Sequence, residues 1–443
     1  MLRTISGFFV RVAERWMPDP LVIAIFLTVV ALAAAVGFTD FGPAAALDAW
    51  GASFWSLLRF TAQMILILVL GHVLANTRPV QRVLLGVAGQ VRSARAAYIG
   101  LTLFSGLISL ISWGLGLVLP AILSRLISDS CRRRGIKVHF PLLVAGGYCG
   151  AIVSMQGLSG SIPLVLNTPD HFLQDRIGLI GLDQTIFSAW SMSIVLAILI
   201  ALPIVMSRLA PPDDETIEFE EPAPVVPPPV TLGPELRTPP AATLDNSRWV
   251  TLLLAGIGGA YVLRHFLSGG PLHLDSLNMI FVVLGLAFAD SPRHYLALLG
   301  NAARISAPFL IQYPLYAGLM GLMAQSGLAA MVVQGFVSVA DAGSLPIWTF
   351  FSAAVLNIFI PSAGGQWAVQ GPIVVDAALQ LGADVPRVAM AVTIGEVWTN
   401  AVQPLYVVPV LAIAGLHIRD IMGYLVISLL TLGPIYLAAL MFF

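Results

Sequence analysis

The sequence predicts an all-α polytopic membrane protein. Of its 443 residues, 58% are hydrophobic and only 10% are charged, and the mean hydropathy is +0.90. Soluble globular domains carry about 25% charged residues. Several apolar stretches also approach the roughly 20 residues that a helix needs to cross a bilayer. Composition and segment length therefore point to the same fold class.

Charge and motif content exclude several classes of function. With 22 basic and 23 acidic residues the net charge is −1, so a nucleic-acid partner has no electrostatic support. No phosphate-binding P-loop is present, which argues against ATP-driven transport. Glu396, His72 and Cys149 are too scattered along the chain to form a catalytic cluster. We therefore expect neither enzymatic activity nor a metal or organic cofactor.

The first half of the chain, residues 1–209, reads as a series of spans. Residues 1–16 resemble a basic helix on the cytoplasmic surface, and 21–36 form a retained first span rather than a cleaved signal. A second span covers 54–74. The apolar stretch 98–127 is flanked by basic residues on both sides, yet it is too short for two full crossings. It therefore predicts a re-entrant hairpin that enters from the cytoplasm, with Ser112 and Trp113 at its tip.

The segment 140–165 is apolar but interrupted by small polar residues, so it predicts a helix that is unwound in the middle. A polar external loop at 168–183 and a span at 186–206 follow. Residues 210–246 are Pro-rich and acidic, and they predict an extended or disordered cytoplasmic linker between the two halves.

The second half, residues 247–443, repeats this order after one extra crossing. Spans are predicted at 249–266, 277–289 and 305–323, followed by a surface helix at 327–339. Residues 348–379 form a second hairpin, because Pro361 and Gly364-Gly365 interrupt an apolar run. A second broken helix at 388–415 and a final span at 421–440 complete the chain.

Because the extra crossing is a single span, the second copy is inverted relative to the first. The N-terminus is then cytoplasmic, the C-terminus is periplasmic, and the second hairpin enters from outside. In this topology 18 of the 22 Lys and Arg residues lie on the cytoplasmic side; the exceptions are Arg59, Arg176, Arg264 and Arg387. Inverted repeats with discontinuous helices are typical of secondary transporters, whose site lies between the repeats.

The interruptions supply the candidate binding groups. Each break frees backbone N–H groups at a new helix N-terminus, and four such ends without a nearby Arg or Lys suit a small monoanion. The candidate substrate ligands are Ser112, Trp113, Gly114, Ser154, Gln156, Ser159, Ser161, Ser362, Gly364, Gly365, Gln366, Trp367, Trp398, Thr399, Asn400 and Gln403. Lipid or core packing explains each Trp equally well, and the hydroxyls also suit bonding to their own helix.

Glu396 is the carboxylate that lies deepest inside a predicted span. An ionisable residue at that depth is a functional hypothesis by default. It binds a coupling proton or cation, or it is a neutral acid that holds the break together, and the sequence does not decide between these roles. Unwound carbonyls at the breaks are an alternative Na⁺ site.

Six motifs together carry a family resemblance over nearly the whole chain: WMPDPL, ISWGLGLV, LSGSIPL, IPSAGGQWAVQGP, GEVWTNAVQPLY and AGLHIRDIMGY. The chain resembles the AtoE-type short-chain fatty acid transporters of the ion transporter superfamily. The resemblance implies uptake of short-chain carboxylates such as acetoacetate or butyrate across the bacterial inner membrane, coupled to H⁺ or Na⁺. By analogy with the dicarboxylate carriers of that superfamily, it also implies an elevator mechanism and a homodimer.

The nearest alternative is a carrier of dicarboxylates or other small organic anions. The superfamily's dicarboxylate carriers use Ser-Asn-Thr tips, whereas the tips here read Ser112-Trp113-Gly114 and Ser362-Ala363-Gly364. A channel is disfavoured because the polar residues are confined to the breaks and form no continuous stripe.

Overall fold

The computed structural model describes residues 15, 18, 20–169, 171–219, 238–270, 274–303 and 309–442. Within these ranges the chain forms helices, turns and loops and no strands, which confirms the all-α prediction. The surface helix predicted for residues 1–16 lies almost entirely outside the described residues. So does the middle of the linker.

The helices of the first half keep the predicted order. They are α1 (Pro20–Phe38), α2 (Pro43–Ser53), α3 (Leu58–Ala75), α4 (Arg78–Gln90), α5 (Ala94–Ile111), α6 (Trp113–Arg132), α7 (Phe140–Gly150), α8 (Ser161–Leu166), α9 (Gln174–Ile177) and α10 (Ala189–Arg208). A 3₁₀ segment, Ala151–Gln156, continues α7 toward α8.

The second half follows a short linker helix. Its helices are α11 (Ala241–Asp245), α12 (Arg248–Leu267), α13 (Leu274–Phe288), α14 (Pro292–Ala303), α15 (Phe309–Gln325), α16 (Leu328–Val337), α17 (Leu345–Phe359), α18 (Ala363–Leu381), α19 (Val385–Asn400), α20 (Pro404–Ala414) and α21 (Ile418–Phe442).

Seven segments of the described chain are long and apolar enough to cross a membrane, and the number reaches nine if each of two bent helix pairs is one span. The face of α12 shows the expected surface, with Trp249, Leu253, Ile257, Leu263 and Leu267 each at least 61% exposed. In water such a surface would be unfavourable, whereas lipid solvates it. The protein is an integral membrane protein.

The interruptions predicted from the sequence are present. Gly157 through Gly160 separate the 3₁₀ segment from α8, and the axes of α19 and α20 differ by 47° across residues 401–403. The arms of the first hairpin, α5 and α6, contain 18 and 20 residues. At about 1.5 Å per residue, each is close to bilayer thickness. Re-entrance of this hairpin therefore stays a prediction.

Besides the short helices α9 and α11, two helices were not predicted, α2 and α14. Helix α2 contains five Ala residues, which favour a helix, but its 11 residues are too few for it to be recognised as a membrane span. It is held by α15, where Gln325 donates to the Ser53 hydroxyl at 2.9 Å. Helix α14 follows α13 after a short turn, as α4 follows α3.

The start of the linker lies against the helix bundle. The backbone N–H of Ile217 donates to His139 Nδ1 at 3.0 Å, and the N–H of Phe140 donates to the carbonyl of Ile217 at 2.8 Å. The Phe219 ring packs on Phe140, with ring centroids 4.8 Å apart. Burial lowers the pKa of His139 to about 4, so its neutral ring accepts the linker hydrogen bond at neutral pH.

Candidate functional site

The tip of the first hairpin is bonded to the break in the first interrupted helix. Ser112 adopts an extended conformation that separates α5 from α6. The N–H of Trp113 then donates to Ser159 Oγ at 2.9 Å, and the N–H of Leu158 donates to the Leu110 carbonyl at 2.7 Å. Part of the N-terminal end of α6 is thereby satisfied by the break itself.

The second hairpin is closed by two glutamines in its interior. Ser362 caps α18 by accepting from the Gly365 N–H at 3.4 Å. Gln366 Nε2 donates to the Ala353 carbonyl at 3.0 Å and to Gln370 Oε1 at 2.9 Å. Gln370 Nε2 in turn donates to Ser352 Oγ at 2.9 Å. These side chains join α17 to α18, while Gln366 Oε1 is buried without a donor among the described residues.

Asn357, near the end of α17, holds the second break in place. Its Nδ2 lies within hydrogen-bond distance of the Glu396 carbonyl (3.0 Å), Thr399 Oγ1 (3.0 Å) and Asn400 Oδ1 (2.7 Å). Gln403 Nε2 returns a hydrogen bond to the Asn357 carbonyl at 3.1 Å. Asn357 is fully buried, so this network fixes the end of α19 against the hairpin.

Glu396 lies directly behind Asn400 in the same network. Its Oε1 accepts from Asn400 Nδ2 at 2.8 Å, and its Oε2 is buried without a donor among the described residues. No Lys, Arg or His of the described chain forms an ion pair with it. An ionised carboxylate in such surroundings is costly unless it is paired or neutralised.

A cavity of about 30 Å³ lies where the first hairpin tip and the two interrupted helices meet. Its polar lining comes from Tyr148, Ser154, Asn400 and Tyr406. Its apolar lining comes from Trp113, Leu117, Ala151, Ile152, Met155 and Val397. Tyr148 donates its hydroxyl to the Asn400 carbonyl, which joins the two interrupted helices across the cavity.

The hydroxyls of Ser154 and Tyr406 have no hydrogen-bond partner in the part of the chain that the structure describes. Both residues line the cavity, so both hydroxyls are available to a ligand. The lining contains no Lys, Arg or His. Among the described residues, no group of three or more His, Cys, Asp or Glu side chains is placed to hold a metal ion.

A second cavity of about 10 Å³ adjoins the first. The two share Trp113, Leu117 and Tyr406, and the rings of Trp113 and Tyr406 lie 6.5 Å apart in an edge-to-face arrangement. The remaining wall of the second cavity comes from Tyr313 on α15, Pro361 at the second hairpin tip, and Leu405 and Pro409 on α20.

Of the candidate ligands from the sequence, Trp113, Ser154 and Asn400 line the first cavity. The others line neither cavity. They are, within the first hairpin and break, Ser112, Gly114, Gln156, Ser159 and Ser161; within the second hairpin, Ser362, Gly364, Gly365, Gln366 and Trp367; and at the second break, Trp398, Thr399 and Gln403. Trp367 is fully buried, and Trp398 donates to the Leu429 carbonyl at 2.8 Å, away from both cavities. Substrate contact by these residues stays a prediction.

Sequence reasoning missed Tyr148, Tyr406, Leu117 and Asn357. Tyr148 precedes Ser154, the first polar residue of the interrupted segment, by six residues, and Tyr406 follows Pro404, at the end of the second break, by two. A Tyr near an interruption of an apolar segment is a usable signal, because its hydroxyl needs a partner there. Leu117, in the first turns of α6, and Asn357, near the end of α17, carry no such signal.

Comparison with known proteins identifies the family. The family model described as short chain fatty acid transporter matches residues 1–443. A protein of Escherichia coli (strain K12) is 35% identical over 452 residues, with all of both chains covered, and one of Haemophilus influenzae is 34% identical over the same length and coverage. Both are provisionally named short-chain fatty acid transporters.

Two solved structures of low sequence identity align with nearly the whole chain. The crystal structure of the Alcanivorax borkumensis YdaH transporter aligns with a TM-score of 0.49 at 14% identity, covering 96% of this chain and 98% of its own. The Neisseria gonorrhoeae MtrF structure, from a study of antimetabolite efflux pumps, gives 0.42 at 15% identity and 97% of each chain. These likenesses are too distant to carry an argument. The match over the whole sequence, by contrast, shows that this membrane protein is a transporter rather than an enzyme and belongs to the short-chain fatty acid transporter family.

Proposed function

We propose that this transporter is a secondary carrier of short-chain monocarboxylates such as butyrate or acetoacetate. The observation that carries the proposal is the first cavity, where the unpartnered hydroxyls of Ser154 and Tyr406 meet an apolar wall. A carboxylate accepts a charge-assisted hydrogen bond from each hydroxyl, and the apolar wall accommodates a short alkyl chain. The family and the names of its relatives agree with this substrate class.

The absence of Lys, Arg and His from the lining favours one carboxylate over two. A dianion has a larger desolvation cost than a monoanion, and two hydroxyls compensate only part of it. Weak binding by neutral donors also allows release of the substrate on the other side of the membrane. A dicarboxylate or another small organic anion is therefore the alternative that substrate competition has to exclude.

We propose that Glu396 carries the coupling proton. One carboxylate oxygen accepts from Asn400 and the other, Oε2, has no donor among the described residues, so protonation of Glu396 removes the cost of a buried, unpaired charge without a cation site. Because Asn400 lines the cavity and donates to Glu396 Oε1, the protonation state of Glu396 acts on the substrate site through Asn400. Na⁺ bound by carbonyls at the breaks is the competing arrangement.

We propose that the architecture is a pair of inverted repeats in the bacterial inner membrane, with re-entrant hairpins, elevator motion and a homodimeric assembly. The order of elements supports the repeats. Helices α5 and α6 pack together ahead of the interrupted pair α7 and α8, as α17 and α18 do ahead of α19 and α20. The resemblance to the superfamily supports elevator motion and the dimer.

The first experiment measures uptake of radiolabelled butyrate and acetoacetate into proteoliposomes under an imposed pH gradient or Na⁺ gradient. We expect uptake driven by the pH gradient and lost in Glu396→Gln, with Asp48→Asn as a control for removal of an exposed carboxylate. Succinate is expected to compete poorly.

Uptake that is driven by Na⁺ and retained in Glu396→Gln would move coupling to the carbonyls of the breaks. Transport of dicarboxylates without monocarboxylates would contradict the proposed function.

A further inference from the structure

We propose that the two adjoining cavities are two parts of one substrate site, and that the second cavity sets the length of the acyl chain. This inference rests on the proposed function. The carboxylate binds in the first cavity, at Ser154 and Tyr406. The alkyl tail passes between Trp113 and Tyr406 into the second cavity, where Leu405 and Tyr313 limit its length.

The two cavities share part of their walls. Trp113, Leu117 and Tyr406 belong to the lining of both cavities, so no independent layer of side chains separates them. Two of these three shared residues, Trp113 and Tyr406, pack edge to face with ring centroids 6.5 Å apart, so the tail passes between them only when one ring moves. Trp113 is only partly buried.

The polar side chains are divided unevenly between the two cavities. The first cavity is lined by Ser154, Asn400 and Tyr148 in addition to Tyr406, whereas the wall that belongs to the second cavity alone contains Leu405, Pro361 and Pro409 and one polar side chain, Tyr313. We therefore expect an amphipathic monoanion to place its charged end at the breaks and its tail toward α15.

The volume of the two cavities limits the length of the chain that fits. The cavities measure about 30 and 10 Å³, which is less than an acyl chain needs without rearrangement. Each methylene that fits gains about 0.8 kcal/mol, or roughly fourfold in affinity, and overpacking removes that gain. The side chain that closes the far end therefore determines where affinity stops rising with chain length. Leu405 is buried at this end and has no polar role.

The test measures inhibition of butyrate uptake by linear acids from acetate to octanoate in the full-length protein in proteoliposomes. We expect Leu405→Ala to improve the affinity for hexanoate relative to that for butyrate by up to about sixteenfold, because two added methylenes find space. We expect Leu405→Phe to shift the preference toward shorter acids. Tyr313→Leu, on a different helix, is expected to act in the same direction as Leu405→Ala. Leu411→Ala is the matched control, because Leu411 is buried on the same helix but lines neither cavity.

The inference would be overturned if both Leu405 variants and Tyr313→Leu still took up butyrate and their relative affinities for hexanoate and butyrate were unchanged. The proposed function would then still stand. Failure of the unmodified protein to transport any monocarboxylate would instead contradict the proposed function.

Discussion

At the scale of single residues, the site combines a rigid network with two free hydroxyls. Asn357, Asn400, Gln403 and Glu396 are mutually bonded and buried, so they hold the second break in one geometry. Ser154 and Tyr406 have no such bonds and border the cavity. Asn400 belongs to the network and also lines the cavity, whereas Ser154 and Tyr406 belong only to the lining, so substitutions in the network and at the free hydroxyls should have different effects.

Removal of the free hydroxyls tests substrate binding directly. We expect Ser154→Ala and Tyr406→Phe each to raise the KM for butyrate uptake by about tenfold with a smaller change in kcat, because a hydrogen bond to a charged group contributes about 1.5–3 kcal/mol. Initial rates across a range of butyrate concentrations give both constants. Ser193→Ala and Tyr261→Phe are controls on α10 and α12. An unchanged KM in both site variants would place the carboxylate elsewhere.

At the scale of elements, each interrupted helix lies unusually close to one hairpin arm. A Cβ on Gly150 of α7 would collide with the Thr102 carbonyl of α5, and a Cβ on Gly395 of α19 would collide with the Phe350 carbonyl of α17. Small residues allow this close approach of helices in a membrane. The same contact in both halves of the chain supports the proposed repeats.

Adding one methyl group where these helices come closest should lower the stability of the protein. We expect Gly395→Ala to destabilise by about 2 kcal/mol, because overpacking forces α17 and α19 apart at backbone atoms that have no freedom to move aside. Gly256→Ala on α12 is the matched control. Its added Cβ meets nothing within 4 Å, so it should be neutral or slightly stabilising. Thermal unfolding midpoints in detergent measure both. Equal midpoints for the two variants would contradict this packing.

At the scale of the whole molecule, three of the four arginines that the predicted topology places outside are engaged by the fold. Arg59 pairs with Asp275 at 2.7 Å, Arg176 pairs with Asp376, and Arg387 donates to the Leu440 carbonyl at 2.7 Å. These contacts give the three side chains a structural role, and the orientation itself stays a prediction that rests on the distribution of Lys and Arg.

Labelling of single cysteines tests this topology. We expect Asp175→Cys to react with a membrane-impermeant maleimide in intact spheroplasts, and Asn246→Cys to react only after permeabilisation, because they lie on opposite sides of the membrane. Both positions are exposed, and the native Cys131 and Cys149 are fully buried, so background labelling should be low. The reverse pattern would invert the proposed orientation.

The sequence by itself determined the fold class and the positions of the interruptions. Long apolar runs have to be helices in a bilayer. Ser, Gly, Gln and Pro within such runs mark the interruptions, because these residue types disturb or end a helix locally and are visible in the sequence. It also indicated Trp113, Ser154 and Asn400, because these residues border the interruptions. The helices α2 and α14 escaped prediction because, at 11 and 12 residues, they are too short to be recognised as membrane spans.

Only the tertiary structure decided which polar groups satisfy each other and which stay free for a ligand. Gln366 and Asn400 are both polar amides next to an interruption in the sequence. Gln366, however, donates to a carbonyl of its own hairpin, whereas Asn400 lines the cavity. Tyr148 meets Asn400 across 252 positions, and Asn357 meets it across 43. Such pairings depend on how separate helices are placed against one another, and helical periodicity carries no information about that placement.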